Sequence, residues 1–427
     1  MKLHFTLLVA TLFFVHLSSA QSFNRCSTME HHDLLVNEGL AQANQLLQMD
    51  QAIHHWINNN PDNSSQTVTI PVVFHVIYAN NNQNISDARI LAQLDVMNRD
   101  YTRTNADTTN TPPAFLSVAA NSEIQFCLAL TDPDGNPTTG ITRTQTTLSG
   151  FQYNGPSNQP LKFTAQGGKD IWPRNEYLNI WVVNFLDQTL GYAQFPGGTA
   201  NTDGVVVDYR SVGGPLSPGT SVPYHLGRTV THEIGHWLGV YHTFQNGCAG
   251  TTPSNCATAG DQVCDTPPVS NSTFFCPSNK NSCTESPDFP DMVTNFMDYT
   301  DDPCMNIFTQ GQKVRMQATL NTIRSSLLSA QACNFVGINS LEAFDNSIKI
   351  FPNPSSGNFT VNTAFNEQTS ISIYVFNILG EKVFEINKQN LMRSKLEIDL
   401  SNHSTGIYNV VFESNGYLTN RKLSITR

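Results

Sequence analysis

Three histidines and a glutamate fall within eleven residues at spacings that can do metal chemistry: His232, Glu233, His236 and His242. Positions four apart lie on one face of a helix. His232 and His236 can therefore present two imidazole nitrogens to one zinc ion, at about 2.0–2.1 Å. Glu233 follows the first ligand and projects beside the metal, where it can act as a base on bound water. Gly239 allows the helix to end in a sharp turn at positive φ, and that turn swings His242 back as a third ligand. Three protein ligands leave a fourth position for water, the open arrangement of a catalytic zinc. Zinc brings the pKa of its water towards about 7. Glu233 would take the proton and later deliver it to a leaving amine, which implies hydrolysis of peptide bonds without a covalent intermediate. The bare His–Glu–x–x–His pattern also arises by chance. Gly239 and His242 add two positions that the geometry requires separately. No motif places His31, His32, His54, His55 or His75, and their default reading is surface or core.

The nine cysteines fit an oxidising compartment. Cys248, Cys256, Cys264, Cys276, Cys283 and Cys304 crowd into the region after the histidine motif, with Cys127 and Cys333 outside it. Spacing does not give the pairing. An odd total leaves one thiol over, and Cys26, alone near the N-terminus, is the candidate. A thiolate is a good zinc ligand, so Cys26 could fill the open position and keep the site latent. The other reading is a disulfide to one of the remaining eight.

The elements that must position these groups are legible in outline. Val68 to Tyr78 is rich in β-branched and aromatic residues and reads as a strand. Ser86 caps a helix in which Ile90, Leu94, Met97 and Tyr101 recur at helical spacing. Ile124 to Leu130, Tyr177 to Phe185 and Gly204 to Tyr209 read as further strands, the second apolar enough for the middle of a sheet. Residues 245–299 are irregular and need staples or ions to hold them. Thr309 and Gln312 form a capping box, opening a helix with Met316, Leu320, Ile323 and Leu327 on one face. The last 81 residues (347–427) read as short strands separated by turn residues, a small β-sandwich.

Length and composition bound the rest. A chain of 427 residues suggests two or three domains. With 39% hydrophobic and 13% charged residues it is apolar enough for a large core and too uncharged for disorder. The net charge of −11, without a basic run, argues against a nucleic-acid partner. Residues 1–20 read as a signal peptide, with Lys2, the apolar run Leu7 to Leu17, and Ser18-Ser19-Ala20. No later stretch is apolar enough to cross a bilayer.

The zinc motif resembles that of the metzincin clan, and more of the chain agrees. Asn295-Phe296-Met297-Asp298-Tyr299 resembles the Met-turn, which places Met297 beneath the metal. Gly260 to Pro268, and Cys304 with Phe308-Thr309, Gly311-Gln312 and Arg315-Met316, resemble the pappalysin family over roughly residues 67–335. The resemblance implies an α+β metzincin domain, a twisted mixed sheet with helices and an irregular cysteine-rich C-terminal subdomain. It implies a supporting role for Met297, an oxyanion-binding role for Tyr299, a cysteine switch at Cys26, and an extended substrate beside Gly191 to Phe195. It also implies calcium in the loop where Asp261, Asp265 and Thr266 offer hard oxygens; a plain turn held by the cysteines is the alternative. Some pappalysins use an acidic pocket to prefer a basic residue after the cut. Met305 follows Cys304 here, which argues against that preference, although Asp301 and Asp302 lie nearby. Phe351-Pro352-Asn353-Pro354, Gly357-Asn358-Phe359, Asn377-Ile378-Leu379-Gly380 and Gly406-Ile407-Tyr408 resemble a type IX secretion sorting domain.

The expected organisation is a signal peptide (1–20), prosegment (21–66), metallopeptidase domain (67–335), linker (336–346) and sorting domain (347–427). The expected function is a zinc metalloendopeptidase acting on proteins, secreted or at the outer surface of a Gram-negative bacterium, with the type IX machinery as partner. The alternative is an inactive adhesin or binding protein on the same scaffold, against which the intact motif argues.

Overall fold

A computed structural model describes residues 23–60, 67–136, 138–153, 159–333, 341–414 and 417–427. The expected signal peptide lies outside the described residues. Among these, no helix is long and apolar enough to cross a membrane.

Two helices come first, α1 (Thr28–Asn37) and α2 (Gln45–Asn59). Strand β1 (Val68–Tyr78) leads into α3 (Asp87–Tyr101), whose Ser86 cap accepts from the Arg89 amide. Then follow β2 (Ile124–Leu128), β3 (Ile141–Gln145), β4 (Leu178–Val183), β5 (Gly191–Ala193) and β6 (Val205–Asp208). The sheet order is β2-β1-β4-β6-β5, with β3 also pairing β1. All pairings are parallel except β5–β6, where Tyr192 faces Val206. Parallel strands are buried on both faces, and β4 is: Leu178, Ile180 and Val182 face one core, Trp181 and Val183 another. The first core is closed by α3, through Ile90, Leu94, Met97 and Tyr101, and by α4 (Arg228–Trp237), through Val230, Ile234 and Trp237. So the antiparallel edge strand β5 and helix α4 flank one another, and the histidine motif rides on α4.

The irregular region is held by Cys248–Cys283, Cys256–Cys264 and Cys276–Cys304, while Cys127–Cys333 ties β2 to the end of the unit. Each such closure typically stabilises by about 2–4 kcal/mol. Cys26 is free and buried. Helix α5 (Gln310–Asn321) opens with the Thr309/Gln312 capping box. It stops short of the predicted length, and Leu327 sits in a separate 3-10 turn. The cause is Arg324, which turns back to pair with Asp203 at 2.6 Å and to donate to the Trp237 carbonyl.

Residues 341–346 were expected within a linker. They instead form helix α6 (Leu341–Asn346), whose Phe344 is fully buried in the C-terminal core. The strands there are longer than predicted: β7 (Ile348–Phe351), β8 (Asn358–Phe376), β9 (Lys382–Asp399), β10 (Gly406–Ser414) and β11 (Tyr417–Ile425). Register shifts between Ala364 and Ile371 bend the β8–β9 pair. Phe359, Val361 and Phe365 before the bend and Ile371, Ile373 and Val375 after it then line one core. Sequence patterning broke these strands where the chain only bends.

Candidate active site

Helix α4 is buried along its whole length. Two glycines make its position possible. At Gly235 a side chain would run into the Met297 sulfur, so glycine lets Met297 pack directly under the helix. Gly239 has φ +85°, and a Cβ there would lie 2.7 Å from the Thr319 hydroxyl. The chain turns at this point and returns His242 to the other two imidazoles.

The three Nε2 atoms converge: His232 to His242 at 3.2 Å, His236 to His232 at 3.1 Å, and His236 to His242 at 3.0 Å. Two of the far nitrogens are committed elsewhere. His232 Nδ1 lies 2.7 Å from the Phe296 carbonyl and His236 Nδ1 lies 2.8 Å from the Val240 carbonyl. A carbonyl can only accept, so each Nδ1 donates and each Nε2 keeps a lone pair. Burial and the neighbouring imidazoles push His232 and His242 well below the usual range, and burial brings His236 down to about 4. Neutral imidazoles with lone pairs aimed at one point repel unless a cation sits among them, so the donor set fits a metal. The Cys26 sulfur joins them, all four ligand atoms lying within 4.8 Å of one another.

Glu233 is fully buried, and burial raises its carboxyl to about 8. One oxygen accepts from the Thr28 hydroxyl at 2.8 Å and lies 3.5 Å from the Cys26 sulfur, while Oε1 has no partner. Tyr299 packs against His232 and His242 and donates its hydroxyl to the Cys26 carbonyl at 3.0 Å. The N-terminal segment thus crosses the site along β5. The Ser27 amide donates to the Gly191 carbonyl at 3.0 Å, and the Ala193 amide to the Thr28 hydroxyl at 2.9 Å.

Arg25 was not singled out by sequence, and it enters a pocket beside the imidazoles. It pairs with Asp302 at 2.9 Å, both side chains fully buried, donates to Thr229 Oγ1 at 2.6 Å, and lies over the Tyr224 ring at 4.6 Å. Asp302 Oδ2 accepts from the Leu226 amide at 2.8 Å. The one available signal was adjacency: a basic residue next to the lone cysteine, and an unassigned aspartate near Cys304.

The predicted calcium loop is compact. Asp261 accepts from the Val263 amide and, at 2.6 Å, from the Thr266 hydroxyl; Asp265 accepts from the Gly311 amide at 2.9 Å. Asp265 Oδ1 is buried without a donor, and burial raises Asp261 to about 7. Among the described residues no third acidic, histidine or cysteine ligand gathers there.

An antiparallel edge strand beside a buried helix, with three lone pairs meeting over a methionine, is the framework of a metallopeptidase. The chain belongs to the pappalysin family: residues 164–321 match the model described as Pregnancy-associated plasma protein-A, and residues 349–426 match the Secretion system C-terminal sorting domain. An extracellular metalloprotease of Verticillium alfalfae is 33% identical over 268 residues, covering 61% of this chain and 78% of that protein. Mature mirolysin of Tannerella forsythia, solved with a cleaved peptide, is 43% identical, covering 63% of this chain and 97% of that one, with a TM-score of 0.56. A promirolysin mutant is 41% identical, covering 68% and 96%, with a TM-score of 0.57. The protein is a secreted metalloprotease with a type IX sorting tail.

Proposed function

We propose that the chain is the latent form of a zinc endopeptidase that cuts before basic residues, with residues 21–66 as its prosegment. The observation that carries this is the placement of Arg25 and Cys26. A basic side chain fills a buried acidic pocket while the next residue puts its sulfur among three imidazoles.

His232, His236 and His242 would hold the zinc and Cys26 would cap it. Bound there, zinc supplies Lewis acidity, lowering the pKa of its water and polarising the scissile carbonyl. Glu233 takes a proton from the attacking water and hands it to the leaving amine. Tyr299, which donates to the carbonyl of the residue beside the imidazoles, offers the same bond to the scissile carbonyl as charge builds on it. Met297 supports α4 from below. Asp302 fixes the basic residue that follows the cut. Met305, which argued against that preference, only borders the Arg25 guanidinium at 3.5 Å. The Arg228 guanidinium has its own carboxylates, Asp100 at 3.1 Å and Asp107 at 3.0 Å, and reaches Asp302 by hydrogen bond only through its amide at 3.4 Å. In the latent chain Thr28 holds Glu233, so the segment occupies metal position, base and pocket together.

Digestion of a peptide library by the processed enzyme, read by mass spectrometry, should give cuts concentrated before Arg and Lys. An even distribution would remove the Asp302 pocket from the account.

We also infer a calcium position at Asp265 Oδ1, the buried carboxylate oxygen that no protein group satisfies. Chelation with EGTA should lower Tm by several degrees, about 2–4 °C per kcal/mol lost for a domain of this size, and calcium should restore it. Unchanged Tm would leave the loop a plain turn.

The tail is read as the address for type IX export. Because Phe344 belongs to the tail core, the clean truncation removes residues 341–427. That form should show peptidase activity once processed but accumulate in the periplasm; normal export of it would overturn the reading.

A further inference from the structure

Helix α2 leaves more behind than the latency contacts. Met49 and Ile53 are fully buried against Phe195, Tyr241 and Ala318, with Ile323 packed at the margin. Asp50, between them, is held by three groups of the main domain. It accepts from Arg315 at 2.8 Å, from Gln262 Nε2 at 2.8 Å and from the Tyr241 hydroxyl at 3.1 Å. Arg315 is 1% exposed, and its other contacts are neutral: the Gly239 carbonyl at 2.9 Å, Gln262 Oε1 at 3.2 Å, and the Tyr241 ring. When α2 departs, Arg315 loses the one carboxylate paired with it, beside an apolar floor formed by Phe195, Tyr241 and Ala318. Arg315 is then uncovered with no carboxylate hydrogen-bonded to it, Asp261 acting on it only through space, and a new acidic side chain can take the vacated charge-assisted pair. The floor is continuous with the cleft, since Phe195 packs 5.5 Å from His236 and also 5.5 Å from Tyr241.

We propose that this groove is an exosite of the processed enzyme. It takes an amphipathic helix of a protein substrate with apolar residues four apart and an acidic residue directly after the first, the pattern of Met49-Asp50-Gln51-Ala52-Ile53. The proposal rests on the reading that residues 23–60 are removed on activation. With the basic residue following the cut, the segment preceding the cut runs along Ala193 to Phe195 and meets the groove. A substrate anchored there and in the Asp302 pocket binds at two linked points, so the second contact is intramolecular. Charge complementarity selects the acidic residue, and the spacing selects the helix.

The test uses processed, metal-loaded enzyme whose N-terminus is verified to lie beyond residue 60. It compares a hexapeptide containing one arginine with the same hexapeptide preceded by the sequence of residues 41–60. The two parts are joined through a flexible Gly/Ser linker of about 15 residues, whose extended reach of roughly 50 Å can turn back past a helix of about 22 Å. The fused substrate should show kcat/KM about tenfold higher than the hexapeptide. Asp50→Asn together with Met49→Glu in the fused segment should erase the gain. Ile323→Lys in the enzyme should lower turnover of the fusion alone. Equal turnover of the two substrates, or a gain that survives the substituted segment, would overturn the exosite. So would processed enzyme that retains a 41–60 fragment by mass, because the groove would then belong to the prosegment. Failure to cut either substrate would instead strike the peptidase reading, and the exosite with it.

Discussion

Replacing Glu233 by alanine is expected to lower peptide hydrolysis by about 10²–10⁴-fold, the range that a positioned general base contributes. The loss should fall on kcat with KM little changed, because Glu233 acts on the attacking water and not on substrate side chains. Metal content and Tm should hold. The imidazoles are oriented by the Phe296 and Val240 carbonyls, not by Glu233. One Glu233 oxygen has no partner, and its other contacts come from Thr28 and Cys26, which the proposed removal of the prosegment would take away. Removing the carboxylate from the processed enzyme therefore unpairs few buried groups. Turnover within a few-fold of the parent, with metal content matched, would mean that the base is another group.

Asp302→Asn should produce the second large effect, and a selective one. A guanidinium buried against an amide instead of a carboxylate loses about 2–5 kcal/mol, so kcat/KM for a substrate with arginine after the cut should fall by about 30-fold to several thousand-fold. A substrate with alanine there gains nothing from the carboxylate and should be cut at a rate close to that of the parent enzyme. Asparagine can still accept from the Leu226 amide through its side-chain oxygen, which keeps the start of α4 in place. Equal loss on both substrates would show that Asp302 serves the fold and not selection. The same substitution in the full chain should weaken the hold on Arg25 and speed processing.

What could be read from sequence was local, and what could not was distant. The spacing of His232, Glu233 and His236 is set by one helical turn, and Gly239 by one backbone angle. The Ser86 cap and the Thr309/Gln312 box are complete within four residues, and β1 has the predicted ends. The acidic pocket joins Arg25 to Asp302 across 277 positions, and no periodicity connects them. The position after Cys304 is Met305, and the carboxylate that pairs with Arg25 comes from Asp302, before the cysteine. Disulfide bonding was legible but its pairing was not, and neither was the early end of α5, where Arg324 reaches back to Asp203. In the tail, turn-forming residues were read as breaks where β8 and β9 bend and continue. The helix containing Phe344 was taken for a linker because a six-residue helix has too few turns to show its face.

If the sulfur of Cys26 and three imidazoles share one zinc ion in the latent chain, freeing the fourth position makes the enzyme. Zinc-edge X-ray absorption on the purified full-length protein tests it directly. One sulfur scatterer is expected at about 2.3 Å, with nitrogen scatterers at about 2.0–2.1 Å. The sulfur shell should be lost in both the processed enzyme and the Cys26→Ala chain, and zinc itself on His242→Ala. A full-length protein whose zinc has only nitrogen and oxygen neighbours would contradict it.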